Sequence, residues 1–234
     1  MTRIVGVEHE SKWALDYDAA AADPLRWLDS PAVTGGLTGL SEPMTATQGV
    51  LYLDDRARSL TTAGHSLRIA ANQGRLAGIG WIGVKQTVHW EGRRDALEIS
   101  ERVDPGDLSA VLAAGTALPL RHVRAHGMVS GPLESAGVTS QRRIKRFGRL
   151  PGDFPCVFSV DLVEFRQPAG GIDAIGRYAC FEVEVNQSSV ACVAALDAFC
   201  DAVDTGLGRP RESRTKAQLA VAAADANRGD LLVR

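Results

Sequence analysis

The stretch Val5-Gly6-Val7-Glu8-His9-Glu10-Ser11-Lys12-Trp13 carries a charged side chain at every second position: Glu8, Glu10 and Lys12. Successive side chains of a β-strand point to opposite faces, so these three groups project to the same side. Burial of unpaired charge in an apolar core costs on the order of several kcal/mol per group. That face must therefore be in water, or bind a metal or a ligand. For one strand alone, the simplest interpretation is a solvated sheet face.

The same alternation of charged and apolar side chains recurs in later segments, which weakens that simple interpretation. In Phe181-Glu182-Val183-Glu184-Val185, for example, two glutamates oppose three apolar residues. The polar faces of the predicted strands together carry five basic and six acidic groups: Lys12, Arg68, Lys85, Arg143, Lys145, Glu8, Glu10, Glu98, Asp161, Glu182 and Glu184.

Strands and helices follow from the hydrophobic pattern. After the first strand, alternation predicts strands at 50–55, 65–69, 79–86, 95–103, 137–147, 156–165 and 178–185. A period close to 3.6 predicts a helix over 189–202, and an Ala-rich helix is expected over 212–227. We expect one domain, with residues 1–210 forming the main body and 211–234 a helical C-terminal tail of that domain.

Bulk composition narrows the classes of protein that the chain can represent. The 234 residues include 26 basic and 28 acidic side chains, a formal net charge of -2, which argues against a general grip on nucleic acid or anionic membrane. We see no apolar run of the roughly 20 residues that span a bilayer, and no secretory signal. Four cysteines without metal-finger spacing favour reduced thiols. We therefore expect a cytoplasmic protein with no membrane partner; a homodimer is compatible with the sequence.

Seven or eight antiparallel strands with one charged and one apolar face can close into a barrel in two ways. A barrel with an apolar interior would leave the charged faces outside. The alternative has a charged lumen and an apolar outer wall covered by helices such as 189–202. We predict the second arrangement, an α+β protein built on a β-barrel, with Ile144 under the helices and Arg143 rather than Arg142 facing inward.

A lumen that carries both signs of charge suits a polyphosphate ligand. Arg and Lys side chains match phosphate oxygens, whereas carboxylates need a divalent cation between them and a phosphate. Paired carboxylates favour hard cations, so we expect Mg²⁺ or Mn²⁺. The pairs Glu8/Glu10 and Glu182/Glu184 would form the metal side, and the Arg and Lys residues the phosphate side.

At this point the residues resemble a known family. Glu8-His9-Glu10-Ser11-Lys12 fits the ExExK signature of the CYTH, or triphosphate tunnel metalloenzyme, superfamily. The segments Tyr52-Leu53-Asp54 and Ala63–Arg68, then Lys85, Glu98 and Phe181–Val185, are similar to its later blocks in the same order. Ser213 and Lys216 are similar to a tail found in some members. The resemblance covers about residues 3–220 and implies an eight-stranded antiparallel tunnel that binds triphosphate compounds with divalent metal.

The resemblance also implies an activity and residue roles. Members include inorganic triphosphatases, thiamine triphosphatases, RNA triphosphatases and class IV adenylyl cyclases. We expect metal-dependent hydrolysis of a triphosphate, with inorganic tripolyphosphate as the first candidate substrate and Glu8 and Lys12 as catalytic residues. The expected substrate-binding residues are Lys12, Arg68, Lys85, Arg94, Arg143 and Lys145. The expected metal ligands are Glu8, Glu10, Glu98, Asp161, Glu182 and Glu184.

Three positions depart from the family pattern. Ala70, Ala96 and Ser100 stand where the family has arginine, arginine and glutamate, although Arg94 lies on the same face one pleat earlier. Each lost arginine removes on the order of 1.5–3 kcal/mol of charge-assisted hydrogen bonding. Two alternatives therefore remain open: a non-catalytic binder of phosphorylated metabolites or nucleotides, and a class IV-like adenylyl cyclase.

Overall fold

The computed structural model describes residues 2–73, 78–171 and 173–231. Within these residues eight β-strands, numbered β1 to β8 along the chain, span Arg3–Leu15, Met44–Asp54, Ser66–Asn72, Gly80–Glu91, Arg93–Val103, Glu134–Leu150, Phe154–Arg166 and Gly176–Val185. Helices α1 to α8 span Tyr17–Ala22, Leu25–Leu28, Pro31–Thr34, Ser59–Thr62, Leu108–Ala114, Leu118–Ala125, Val190–Leu207 and Lys216–Leu231. None of the described helices is both long and apolar enough to cross a membrane.

The eight strands form one antiparallel sheet that closes on itself in the order β1-β5-β4-β3-β2-β6-β7-β8, with β8 pairing back to β1. The predicted α+β architecture with an eight-stranded antiparallel barrel is therefore confirmed. We call the end where β1 begins the upper end of the barrel, and the end near Leu15 the lower end.

Helices cover the apolar outer wall. Trp13, Phe181 and Val183 of the wall belong to the same buried cluster as Leu196 and Phe199 of α7. The indole N–H of Trp13 also donates to Asp204 of α7 at 2.6 Å. A further cluster joins the outer wall to α6. The α8 helix instead packs on Tyr52, Ala70 and Val163, which lie on the same strand faces as the charged residues of the lumen. Burial of the outer faces fixes which side of each strand points inward, because a shift of one residue would expose the whole apolar set.

A polar network also ties the start of α7 to the wall. The ring of His9 lies 2.6 Å from Asp95 and 3.0 Å from Ser188, the residue before the helix cap. Arg93 then bridges Asp95 to Asp197 of α7. These contacts place His9 on the outside of the barrel, away from the glutamates beside it in sequence.

The C-terminal helix begins with a capping box that seats it against the barrel. The Gln218 backbone N–H donates to Thr215 Oγ1 at 3.1 Å, and the Thr215 backbone N–H donates to Gln218 Oε1 at 2.8 Å. The α8 helix then packs on β6 and β7. Its first residue, Lys216, enters the lumen.

The upper rim of the barrel has a gap, which we call the notch. β8 ends at Val185, which pairs with His9, and Glu184 pairs with Val157 of β7. Beyond these pairs β7 extends to Phe154 and β1 extends to Arg3. The two strands therefore rise past the end of β8 without that strand between them.

Candidate active site

The inward faces of the strands bring together most of the predicted charged residues. Among the described residues, six acids and six bases lie in the lumen: Glu8, Glu10, Glu98, Asp161, Glu182 and Glu184, with Lys12, Arg68, Lys85, Arg94, Arg143 and Lys216. Alternation explains the pattern, because the lumen residues within β1, β5 and β8 are separated by two or four positions. The choice of Arg143 as the inward residue is correct: it contacts lumen acids, while Arg142 is exposed and Ile144 is buried in the outer cluster.

The first group of acids, which we call the upper acid cluster, consists of Glu8, Glu10 and Glu184. One carboxylate oxygen from each lies within 4.8 Å of the others. Lys85 forms a close ion pair with Glu8 and lies 3.4 Å from Glu10. Arg94 donates to Glu10 at 3.0 Å.

Burial and neighbouring charge shift the pKa values of these three carboxyls in different directions. Burial raises the pKa of Glu8 well above its usual value, in spite of Lys85, and burial also raises the pKa of Glu184. Burial alone would raise the pKa of Glu10 too, but Lys85 and Arg94 outweigh it and hold that pKa well below the usual range. Of the three carboxyls, Glu10 is therefore the one whose surroundings favour the charged form.

The second group, which we call the lower ion tetrad, consists of Asp161, Glu182, Arg143 and Lys216. Arg143 donates to Asp161 at 3.0 Å and to Glu182 at 2.8 Å. Lys216 donates to the other oxygen of each, at 2.5 Å and 2.8 Å. All four carboxylate oxygens are thus paired. Burial would raise the pKa of Asp161, but Arg143 and Lys216 lower it to about 2.

A third pairing lies on β3 and β5. Arg68 donates to Glu98 at 3.1 Å, and the Ser100 hydroxyl donates to the same oxygen at 3.1 Å. Burial acts against ionisation of Glu98, but Lys85 and Arg68 lower its pKa to about 2. Glu98 is therefore held by cations of the chain and lies outside the upper acid cluster.

Two predicted lysines occupy contrasting places. Lys12 is buried, which lowers its pKa, and its ammonium lies 4.0 Å from Glu10. Lys145 lies on the same face of β6 as Arg143 but nearer the upper end, with its ammonium 5.4 Å from the centre of the Phe147 ring. Lys145 is therefore at the mouth rather than among the central ion pairs.

The structure groups the predicted metal ligands differently from the sequence pairs. We expected Glu182 to act with Glu184 as a pair on the metal side, but the oxygens of Glu182 are held by Arg143 and Lys216, and Glu184 instead lies with Glu8 and Glu10. Lys216 was not assigned to the site. The signal for it was the Thr215-x-x-Gln218 cap, which starts a helix at Lys216, but no local pattern shows that this helix covers the barrel.

Three carboxylates within reach of one ion suit a hard divalent cation such as Mg²⁺ or Mn²⁺. The upper acid cluster fits such an ion better than the lower ion tetrad, because three carboxylates meet there, whereas Arg143 and Lys216 occupy every carboxylate oxygen of the tetrad. Cys180 lies beside the tetrad, but burial raises the pKa of its thiol to about 12, so it stays protonated.

Free space in the lumen is unevenly distributed. The central part, lined by residues that include Arg68, Lys85 and Arg143, leaves only about 30 Å³. A cavity of about 190 Å³ lies at the lower end, beside Lys12, Trp90 and Arg211. A larger cavity of about 600 Å³ lies at the notch and is lined by Glu184. Ion pairs thus fill the middle of the barrel.

Comparison with solved structures identifies the fold. A Hippeastrum protein described as an adenylyl cyclase candidate with a dominant triphosphatase activity superposes with a TM-score of 0.56 at 18% identity, covering 94% of this chain and 96% of its own. An adenylate cyclase candidate from Bacillus halodurans gives 0.60 at 14% identity, covering 94% and 98%. A Pyrococcus horikoshii protein gives 0.56 at 15%, covering 92% and 98%.

These neighbours share 14–18% of their residues with the chain and show that it has the same fold as they do. The superposition covers nearly the whole chain, so the barrel and its helices are compared together. No protein-family model matches the sequence, and no curated protein matches it. Function must therefore be argued from the lumen itself.

Proposed function

We propose that this chain is a metal-dependent triphosphatase that hydrolyses a phosphoanhydride bond inside the lumen, with inorganic tripolyphosphate as the first candidate substrate. The observation that carries the proposal is the convergence of an upper acid cluster, suited to a divalent cation, with arginines and lysines suited to phosphate. The Hippeastrum neighbour, described as a triphosphatase, supports the same reaction class.

Cations of the lumen would bind the substrate by exchanging partners. Arg68, Lys85, Arg94 and Arg143 each hold a carboxylate in the ligand-free protein and could transfer that contact to a phosphate oxygen. Lys145 would receive the chain at the mouth. Lys12, deep in the lumen, would contact the terminal or leaving phosphate. These fixed charges would also stabilise negative charge that develops on the transferred phosphoryl group.

The carboxylates would perform a separate task. Glu8, Glu10 and Glu184 would hold one Mg²⁺ or Mn²⁺, which supplies neutralising charge between the acids and the phosphates and acidifies bound water. Glu8 would orient the attacking water. Glu98, Asp161 and Glu182 would hold Arg68, Arg143 and Lys216 in place, unless the substrate displaces them and frees them as further ligands.

The proposal is tested by orthophosphate release from tripolyphosphate with Mg²⁺, with Mn²⁺ and with a chelator. We expect release only with metal. We expect Glu184→Gln to lower the rate at least about 100-fold, because the upper acid cluster loses a ligand. Glu164→Gln is the matched control, since Glu164 lies on the outer face of β7 beside Arg166. Metal-independent release, or equal rates for both variants, would refute the proposal.

A non-catalytic binder is the second candidate, favoured by Ala70, Ala96 and Ser100 in place of the charged residues of the family. Arg94, two residues before Ala96 on the same strand face, donates to Glu10 and would supply a cation to the lumen. Calorimetry separates the two functions. A binder gives a saturable heat with tripolyphosphate and no slow heat of hydrolysis. An adenylyl cyclase would instead convert ATP to a cyclic nucleotide and release pyrophosphate.

A further inference from the structure

A second group of reactive side chains lies on the outer wall of the barrel, beside the start of α7. His9 of β1, Asp95 of β5 and Ser188 form a chain of hydrogen bonds there. His9 Nδ1 lies 2.6 Å from a carboxylate oxygen of Asp95, and His9 Nε2 lies 3.0 Å from the Ser188 hydroxyl oxygen. His9 and Asp95 face each other across the β1–β5 ladder. A serine, a histidine and an aspartate therefore stand in the order and at the spacing that acyl transfer uses.

The hydrogen bonds fix the form of the His9 ring. The Asp95 carboxylate, charged beside Arg93, can only accept a hydrogen bond, so Nδ1 carries the ring proton and donates it. Nε2 then has a free lone pair and accepts from the Ser188 hydroxyl. Arg93 donates to Asp95 at 2.7 Å and 3.1 Å, which holds the carboxylate in place. The base is therefore oriented towards the serine by a third group, as nucleophilic catalysis requires.

The three residues differ in their exposure to solvent. His9 is only 6% exposed, whereas Ser188 is exposed. A substrate can therefore reach the hydroxyl while the base keeps its orientation within the protein. The same contacts hold α7, but the Arg93–Asp197 ion pair also does so. Because a hydrogen bond from an exposed hydroxyl adds only about 1 kcal/mol to stability, tethering alone gives little reason for a serine here.

Backbone donors lie beside the hydroxyl. Ser188 is followed by the cap residue Ser189 and then by α7, a helix of 18 residues. The Ser189 side chain accepts the backbone N–H of Cys192 at 3.2 Å. The N–H groups of Val190 and Ala191, at the first two helical positions, have no acceptor within the helix. Donors of this kind stabilise negative charge on an oxygen, so they suit the oxyanion that forms when a carbonyl is attacked.

We infer that Ser188, His9 and Asp95 form a catalytic triad that hydrolyses short, uncharged carboxylic esters on the outer wall of the barrel. Ser188 Oγ would attack the carbonyl carbon, and its proton would pass to His9 Nε2. The bond between the acyl carbon and the alkoxy oxygen would break, and the alcohol would leave with that proton. Water would then attack the acyl-serine in the same way, which releases the carboxylic acid and restores Ser188. The side chain of Val190, 87% exposed, offers apolar contact to a short acyl group.

The test measures hydrolysis of p-nitrophenyl acetate, together with labelling by a fluorophosphonate probe whose position is located by mass spectrometry. We expect the label on Ser188, and we expect Ser188→Ala to slow ester hydrolysis at least about 100-fold. Ser189→Ala is the matched control, because this neighbouring hydroxyl caps α7 and does not meet His9. The Ser189→Ala variant should keep the wild-type rate and the label on Ser188.

Asp95→Asn distinguishes a positioning role from a structural one. An asparagine keeps a polar contact with Arg93 but no longer fixes the tautomer of His9, so labelling of Ser188 should slow at least about 100-fold. If the contacts only tether α7, Ser188 would react no faster than any exposed serine, and Asp95→Asn would leave its labelling rate unchanged. That result would overturn the inference.

The remaining outcomes are equally decisive. Ester hydrolysis at the wild-type rate in Ser188→Ala, a label on another residue, or no label at all would overturn the triad. Ester hydrolysis should also persist in the presence of a chelator, because the triad needs no metal, whereas the proposed triphosphatase stops. Loss of both activities with the chelator would refute the triad and leave the triphosphatase standing.

Discussion

Asp55 is the residue on which the lower end of β2 depends. Its carboxylate accepts hydrogen bonds from the backbone N–H and hydroxyl of Ser59, at 3.0 Å and 2.7 Å, and from those of Ser130, at 2.7 Å and 2.9 Å. The side chain is buried. It therefore joins the start of α4 to a segment more than seventy residues later, and the charge of the carboxylate strengthens each bond.

Replacing Asp55 by Asn should destabilise the fold by about 2–3 kcal/mol at pH 7, because buried donors lose a charged acceptor. Burial opposes ionisation of Asp55, but the donors of Ser59 and Ser130 lower its folded-state pKa. The stabilisation is thus present above the unfolded pKa of about 4 and is lost as the pH falls towards the folded pKa. Urea unfolding at pH 7, 5 and 3.5 measures this change.

Asp18→Asn, at an exposed position in α1, should shift stability by no more than about 0.5 kcal/mol and serves as the control. A deficit for Asp55→Asn that is as large at pH 3.5 as at pH 7 would show that the charge of the carboxylate contributes nothing.

For single residues, the sequence predicted the direction of a side chain wherever that direction follows from alternation along a strand. The side chains that face inward as predicted include Glu8, Glu10, Lys12, Glu182 and Glu184. Their direction is fixed because Trp13 of β1 and Phe181 and Val183 of β8 are buried on the outside. The same reasoning could not predict that Lys216 enters the site, nor which cations pair with Asp161. Lys216 meets Asp161 and Glu182 across 55 and 34 residues of chain, and such pairings depend on how a helix docks, which no short pattern encodes.

The docking of α8 on β6 depends on close approach at Gly137. A Cβ atom added to Gly137 would lie 3.0 Å from the Cβ of Ala220 and 3.1 Å from its backbone carbonyl carbon. Because one of these neighbours is backbone, the helix itself would have to shift. The position of α8 sets the position of Lys216, so this contact reaches the lower ion tetrad.

We expect Gly137→Ala to destabilise the fold by about 1–3 kcal/mol, the usual cost of overpacking. It should also increase amide hydrogen exchange in the first turns of α8. Gly131→Ala is the control, because a Cβ there meets nothing within 4 Å. Urea unfolding and hydrogen exchange check both variants. Unchanged exchange in α8 would show that Gly137 is not what seats the helix.

At the scale of elements, the sequence predicted the strands well and the short helices less well. Seven later strands were expected and found, but β6 runs from Glu134 to Leu150, beyond the predicted 137–147. The C-terminal end of α7 differs in the same way, since the helix continues to Leu207 rather than 202. The helix α6 was missed, because its eight residues begin with Leu118-Pro119 and carry no side-chain cap.

Within the described part of the chain, the barrel as a whole encloses six acidic and six basic side chains, so their charges cancel. A phosphate chain that entered alone would meet carboxylates as well as cations, and like charges at close range repel. A divalent ion bound to the upper acid cluster would add positive charge to the lumen and so favour binding of the anion. Metal and triphosphate should therefore bind with positive coupling, each raising the affinity for the other by the same factor.

Thermal unfolding measures this coupling, because a ligand that binds only the folded state raises its stability. We expect Mg²⁺ and tripolyphosphate together to raise the melting temperature by more than the sum of their separate effects. In the Glu184→Gln variant this extra rise in melting temperature should disappear, whereas the Glu164→Gln variant should retain it. An additive response in the wild-type protein would show that metal and phosphate occupy independent places.

The saturated oxygens of the lower ion tetrad have one more consequence. Arg143 and Lys216, the cations that could bind an incoming anion there, already pair with Asp161 and Glu182. An anion that binds there must therefore displace the carboxylates from these two cations. Once displaced, these carboxylates can bind a metal cation that enters together with the anion.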